Sequence, residues 1–169
     1  HTDYYETSDS ILRLFVHECT CVFSDRLNSL EDRQWFRESM DKELQANSDG
    51  AKWNTLYKND GIMTNFGSFF TAAADEAPYA ELDDIAGVKA KLEETLDEYN
   101  LEGGVPMDLV LFKDAVDHVC KIHRVLQQQR GNMLLVGVGG SGRQSLTRLA
   151  SFLAELKVFT IEINKYYDL

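Results

Sequence analysis

The chain has 169 residues, 44% hydrophobic and 27% charged, a balance that builds a packed core and excludes a disordered or linker-type chain. Its 28 acidic against 17 basic side chains leave a formal charge of −11, which excludes an overall basic footprint for nucleic acid but not a local patch. No apolar run approaches the roughly 18 residues of a membrane span, so neither nucleic acid nor membrane is expected as a partner.

The three cysteines are Cys19, Cys21 and Cys120. An odd count without zinc-knuckle spacing reads as free thiols packed in helices, in a reducing compartment. Beginning at His1 rather than Met, the chain reads as a fragment.

In chain order, Ser8-Asp9-Ser10 precedes Ile11, Leu12, Phe15, Val16, Cys19, Val22 and Phe23. Steps of three and four predict an amphipathic helix capped by Ser8 or Ser10. A second helix is expected from Ser29, where Ser29-Leu30-Glu31-Asp32 has the form of a capping box and Trp35, Phe36, Met40 and Leu44 recur on one face. Phe15, Phe23, Trp35 and Phe36 are expected in the core. Residues 46–60 are polar and turn-rich, and Gly61–Phe70 predicts a short extended or irregular stretch.

From Asp75 to Glu102 there are 10 acidic residues and two lysines. Val88, Leu92, Leu96 and Tyr99 keep helical spacing within it, which predicts an acidic surface helix rather than a tail. Gly103-Gly104-Val105-Pro106 ends that helix. Leu109–Phe112 is then a short apolar run. Ala115, Val116, Val119, Ile122, Val125 and Leu126 mark a further helix, broken by Arg130-Gly131-Asn132. His17, His118 and His123 fall on helices without ligand spacing and read as surface or core-edge histidines.

Met133–Val138 predicts a buried strand and Val158–Ile163 another, with a glycine-rich turn and a helix carrying Leu146, Leu149, Ala150 and Leu153 between them. Strand, turn, helix, strand is a βαβ unit, with the sheet unfinished at Leu169.

The turn carries the chemistry. Gly137-Val138-Gly139-Gly140-Ser141-Gly142-Arg143-Gln144-Ser145 lies on the phosphate-loop frame G-x-x-x-x-G-K-[ST]. In that frame successive backbone N–H groups face one concavity and the following helix turns its positive end to the phosphates. Two places depart from it. Arg143 stands where lysine is expected and keeps the charge on a planar fork instead of a compact ammonium. Gln144 stands in the Ser/Thr place, where its carbonyl oxygen is the candidate magnesium ligand. Ser145 is one residue late.

Phosphate cradling is expected; efficient hydrolysis is not, and no catalytic residue is assigned. A hydrolytic site needs an acidic strand end downstream of the loop, and the chain has none there. Two other readings exist. The dinucleotide frame G-x-G-x-x-G fits Gly137, Gly139 and Gly142 with Glu162 as the acidic residue, although Gly-Ser-Gly-Arg suits the phosphate loop better. A stand-alone kinase or GTPase would need more sheet.

The run Leu109–Ala115, His118–Leu126, Arg130-Gly131-Asn132 and Leu134–Ala150 resembles the start of the fourth AAA+ module of the dynein heavy chain. The loop itself is similar to the axonemal rather than the cytoplasmic form. Leu12–Cys19, Val22–Leu27 and Glu31–Phe36 look like the helical lid of the third module, and Ile85–Asn100 like the acidic helix that opens the fourth. The resemblance implies an α/β fold, a helical lid followed by the beginning of a P-loop AAA+ βαβ sheet. It divides the chain into lid (1–60), linker and acidic helix (61–106) and the start of the next module (107–169).

It also implies part of an ATPase motor moving along microtubules in the axoneme of a cilium or flagellum, working with other heavy, intermediate and light chains. The site would bind ATP or ADP, with or without magnesium, in a regulatory role. Leu109 or Val110 would read the adenine edge through main-chain groups; the bland alternative for that run is core packing. A non-hydrolytic module that only stabilises a ring is the competing reading.

Overall fold

The computed structural model describes residues 8–48, 56, 65–68, 78–102 and 105–161. The chain divides into two compact units, residues 1–90 and 91–169. In chain order the elements are α1 (Ser8–Val22), a 3-10 turn (Ser24–Arg26), α2 (Leu30–Asn47), β1 (Asn65–Gly67), β2 (Ala80–Leu82), α3 (Ile85–Leu101), α4 (Lys113–Leu126) and α5 (Arg143–Leu153). The unit boundary falls inside α3. Among the described residues no helix is long and apolar enough to cross a membrane.

In the first unit the start of α2 follows its sequence signal. Ser29 Oγ accepts from the Asp32 N–H at 3.0 Å, satisfying one of the orphan donors of the first turn. Glu31 and Asp32 place negative charge at the positive end of the helix. Phe36, Met40 and Leu44, four residues apart, form one column that packs with Val16 of α1 and with Leu56; Leu12, Cys19 and Leu27 close around them. Burying each large side chain of this column contributes about 1.5–3 kcal/mol.

Three of the four aromatics expected there lie elsewhere. Phe36 is buried, whereas Phe15, Phe23 and Trp35 are each more than half exposed. Trp35 and Phe15 directly precede Phe36 and Val16, and one helical step turns a side chain about 100° off the buried column. Ser10, offered as a cap, sits inside α1. Most of 46–64, including the turn-rich stretch, lies outside the described residues.

The extended reading of the Gly61–Phe70 stretch is met at β1, which pairs antiparallel with β2 in the register Asn65↔Leu82, Phe66↔Glu81 and Gly67↔Ala80. Phe66 is 1% exposed and lies against the rings of His17, at 5.1 Å between centroids, and Tyr79, at 5.9 Å. Polar bonds fasten β2 and its approach to α1. Arg13 Nε and Nη2 donate to the two carboxylate oxygens of Glu81 at 2.8 and 3.0 Å, a bidentate pair mostly out of water. Tyr79 donates to Glu18 Oε1 at 2.8 Å and its oxygen lies 3.3 Å from His17 Nε2. His17, read as a surface or core-edge residue, is buried in this junction.

In the second unit, α4 presents Ala115, Val116, Val119, Cys120, Ile122 and His123 as a buried face, the face that its spacing predicts. It packs on α5, whose Leu149 and Ala150 are fully buried. Tyr99 of α3 meets Phe152 of α5 edge-on at 5.4 Å. The carboxamide of Asn100 bonds both ways to Met107, accepting from its N–H at 2.7 Å and donating to its carbonyl at 3.0 Å, which pins the approach to α4.

All three cysteines are free thiols, and burial pushes the Cys120 thiol up to about 12. His123 is also buried rather than at the core edge, and that burial lowers it to about 4.

The two runs expected as buried strands differ from expectation. Residues 133–138 and the described part of 158–163 carry no ladder pairing among the described residues. Leu134, Val136, Val138 and Phe159 are 78–87% exposed. The apolar sequence specifies two buried faces, and such a segment becomes a strand only with a neighbour on which to form the ladder. The mixed helix-and-sheet class stands, with its two-stranded sheet in the first unit.

Candidate functional site

The glycine-rich turn is built by backbone, not side chains. Upstream, α4 ends in a turn in which the Gly131 N–H donates to the Gln128 carbonyl at 3.0 Å. A Cβ on Gly131 would stand 1.9 Å from the Val125 carbonyl oxygen, so any side chain there forces the turn open.

Downstream, the Ser141 N–H donates to the Val138 carbonyl at 3.3 Å, closing a four-residue turn over Gly139 and Gly140. Gly140 has φ +77° and Gly142, the residue before α5, has φ +75°, both in the left-handed region that costs other residues about 1–2 kcal/mol. The Gly142 carbonyl accepts from the Leu146 N–H at 2.9 Å, so α5 starts directly after it. A glycine at this place offers no side-chain cap, and the first-turn N–H groups are left for an anion. Cβ atoms on Gly139, Gly140 or Gly142 would meet nothing within 4 Å; the space beside the turn is open, and glycine-rich backbone ahead of a helix start is chemistry that fits a phosphate group.

Three site residues come together within the loop. A Cβ on Gly137 would lie 2.9 Å from Ser141 Oγ and 3.5 Å from Arg143 Nε, so the loop folds over its own entry. Arg143 turns back across it: Nη2 donates to the Val138 carbonyl at 3.1 Å, and Nη1 reaches the Leu135 carbonyl at 3.5 Å. Gln144 is exposed and Ser145 half-buried at the start of α5. Among the described residues no cluster of three or more His, Cys, Asp or Glu is placed to hold a metal ion, so a cation here would depend on Gln144 and the phosphates themselves. Leu109 is half-buried and Val110 exposed in the segment leading into α4. The Val110 carbonyl is engaged locally by the Phe112 N–H at 3.2 Å.

One electrostatic signal complements the glycines. From His118 to Ala154 the sequence holds no Asp or Glu, while Lys121, Arg124, Arg130, Arg143 and Arg148 fall there. A chain of strongly negative total charge thus reverses sign across α4, the loop and α5, which favours an anionic ligand. The signal was present in the sequence, hidden beneath the overall charge.

The family described as the P-loop containing dynein motor region D4 matches residues 107–169. The chain is 44% identical over 166 residues to the dynein-1-beta heavy chain of the flagellar inner arm I1 complex of Chlamydomonas reinhardtii, covering 97% of this chain and 4% of that protein. It is 43% identical to mouse dynein axonemal heavy chain 2, over 98% of the chain and 4% of the relative. It is 41% identical to human dynein axonemal heavy chain 6, over 94% and 4%. The chain thus spans about 4% of the length of these relatives.

Proposed function

The chain belongs to the dynein heavy-chain family, axonemal type, and we propose that it contributes a regulatory nucleotide-binding loop to a ciliary or flagellar motor. In this reading residues 1–60 end the third AAA+ module as its helical lid, 61–106 link and open the next, and 107–169 begin the fourth. The whole motor hydrolyses ATP and moves along microtubules in the axoneme, with other heavy, intermediate and light chains as partners.

The observation that carries the reading is the open glycine turn of Gly139–Gly142 ahead of an uncapped helix, with Arg143 as its charge. Backbone N–H groups of Gly139–Ser145 hold the phosphates of ATP or ADP, and Arg143 supplies the cation. Leu109 and Val110 flank the adenine. Gln144 offers its carbonyl oxygen to a magnesium ion, which when bound neutralises phosphate charge.

A second reading, a ring-stabilising module without turnover, draws support from Arg143 and Gln144 in the Lys and Ser/Thr places. Both departures weaken the positioning that in-line transfer requires while leaving the grip intact, so this segment by itself is not expected to hydrolyse ATP.

The test is photolabelling of the intact motor with 8-azido-ATP, mapped by peptide mass spectrometry. A label within 105–113, competed by ADP and abolished by Gly142→Pro, is the expected result. Absence of any label within 105–145 at saturating probe would sink the nucleotide reading; label at this site with phosphate release from the intact motor unchanged by Gln144→Ala would favour the structural alternative.

A further inference from the structure

Resting on the nucleotide reading just given, we propose that Arg143 is a latch as well as a phosphate cation. Without a bound anion it clips the loop to its own backbone, and the ligand must detach it.

The geometry is specific. The Val138 carbonyl accepts twice, from the Ser141 N–H that closes the turn at 3.3 Å and from Arg143 Nη2 at 3.1 Å. The second guanidinium nitrogen reaches the Leu135 carbonyl at 3.5 Å. One side chain at the head of α5 thereby ties down the segment before the loop and the turn within it. Arg143 is only half-buried, and its aliphatic stem passes 3.5 Å from where a Gly137 Cβ would be. A Cβ at 137 would crowd Ser141 Oγ, at 2.9 Å, and would only touch the arginine.

The planar fork makes the latch possible. Two donors on one rigid plane can address two carbonyls, which a single ammonium on a flexible stem does less well. The main-chain carbonyls are neutral acceptors, whereas the phosphates of a nucleoside diphosphate carry full charge. The guanidinium therefore exchanges weaker acceptors for stronger ones when the ligand arrives. The latched state lowers apparent affinity by the fraction of loops that are open. It also selects for ligands with enough charge to draw the arginine away, a di- or triphosphate over a monophosphate. A lysine here would give a looser latch and a readier site.

Hydrogen–deuterium exchange on the intact motor, followed on the peptide covering 133–145 with ADP and magnesium as probe, tests the proposal. Without nucleotide, Arg143→Ala should speed exchange at the Ser141 amide about tenfold, the scale of one charge-assisted hydrogen bond. Arg143→Lys should speed it less and raise the ADP association rate several-fold. AMP should protect the native loop far less than ADP, and that gap should narrow in the lysine variant. If Arg143→Ala leaves Ser141 exchange unchanged yet abolishes protection by ADP, the latch is wrong and the nucleotide reading stands. If ADP protects the loop in no variant, native included, the nucleotide reading itself falls, and the latch with it. A lysine variant that associates no faster than the native protein also overturns the latch.

Discussion

The α1–hairpin junction and the glycine loop are both tight local structures, built from opposite materials. At the junction, side chains hold everything: Phe66 between His17 and Tyr79, and Arg13 gripping Glu81 across 68 positions of sequence. In the loop, almost nothing but backbone is involved, and the single side chain that contributes, Arg143, addresses carbonyls. The first kind of structure is sensitive to what a residue carries, the second to which φ angles and what space a residue allows.

That contrast can be broken most easily at Phe66. Truncation to alanine removes the ring between His17 and Tyr79 and should cost about 3–5 kcal/mol, read by urea denaturation followed by circular dichroism. A loss below 1 kcal/mol would mean that the junction is not held by packing.

The next largest effect is in the second unit and depends on pH. Burial keeps His123 neutral, with its pKa lowered from 6.5 to about 4. Between those values the unfolded chain takes up a proton that the folded one refuses. The contribution of this group should therefore be constant above pH 6.5 and fall as pH drops toward 4, by about 3 kcal/mol in all. Denaturation midpoints from pH 7 to 4 should show the slope, and His123→Gln should flatten it.

Within the loop, Gly142→Ala should cost about 1–2 kcal/mol through its positive φ alone, although a methyl there touches nothing. Gly139→Ala, with equal space and no such φ, should fall within about 0.5 kcal/mol of the native protein. Equal costs at the two positions would show that the loop is not governed by backbone conformation.

The smallest effect sharpens the other side of the comparison. A double-mutant cycle on Arg13→Ala and Glu81→Ala should yield a coupling of about 1 kcal/mol, since the pair keeps some exposure. A coupling near zero would leave the hairpin fastened by the packing of Phe66 and the Tyr79–Glu18 bond rather than by the ion pair.

How far each region could be read in advance follows from the same difference. The loop was legible because its geometry depends on local residue type: glycines at fixed spacing, then a helix start. The helices were legible through period and caps, as in Ser29 with Asp32 and the column Phe36–Met40–Leu44. The junction was not, because no local pattern pairs Arg13 with Glu81 or places Phe66 on His17; those contacts are set by register and tertiary docking. Trp35 and Phe15 are hydrophobic yet exposed, because one helical step carries each off the buried face and composition alone does not register that turn. The strands expected at 133–138 and over the described part of 158–163 are absent for a third reason, since a strand is a property of a pair and the sequence of one member specifies only its willingness.

The exposed Trp35 has an optical consequence. Both tryptophans of the chain, Trp35 and Trp53, fall within residues 1–90, whereas the glycine loop belongs to a unit that has none. Indole emission from this segment therefore originates in the first unit, and Trp35, two-thirds exposed, is open to collisional quenchers such as acrylamide.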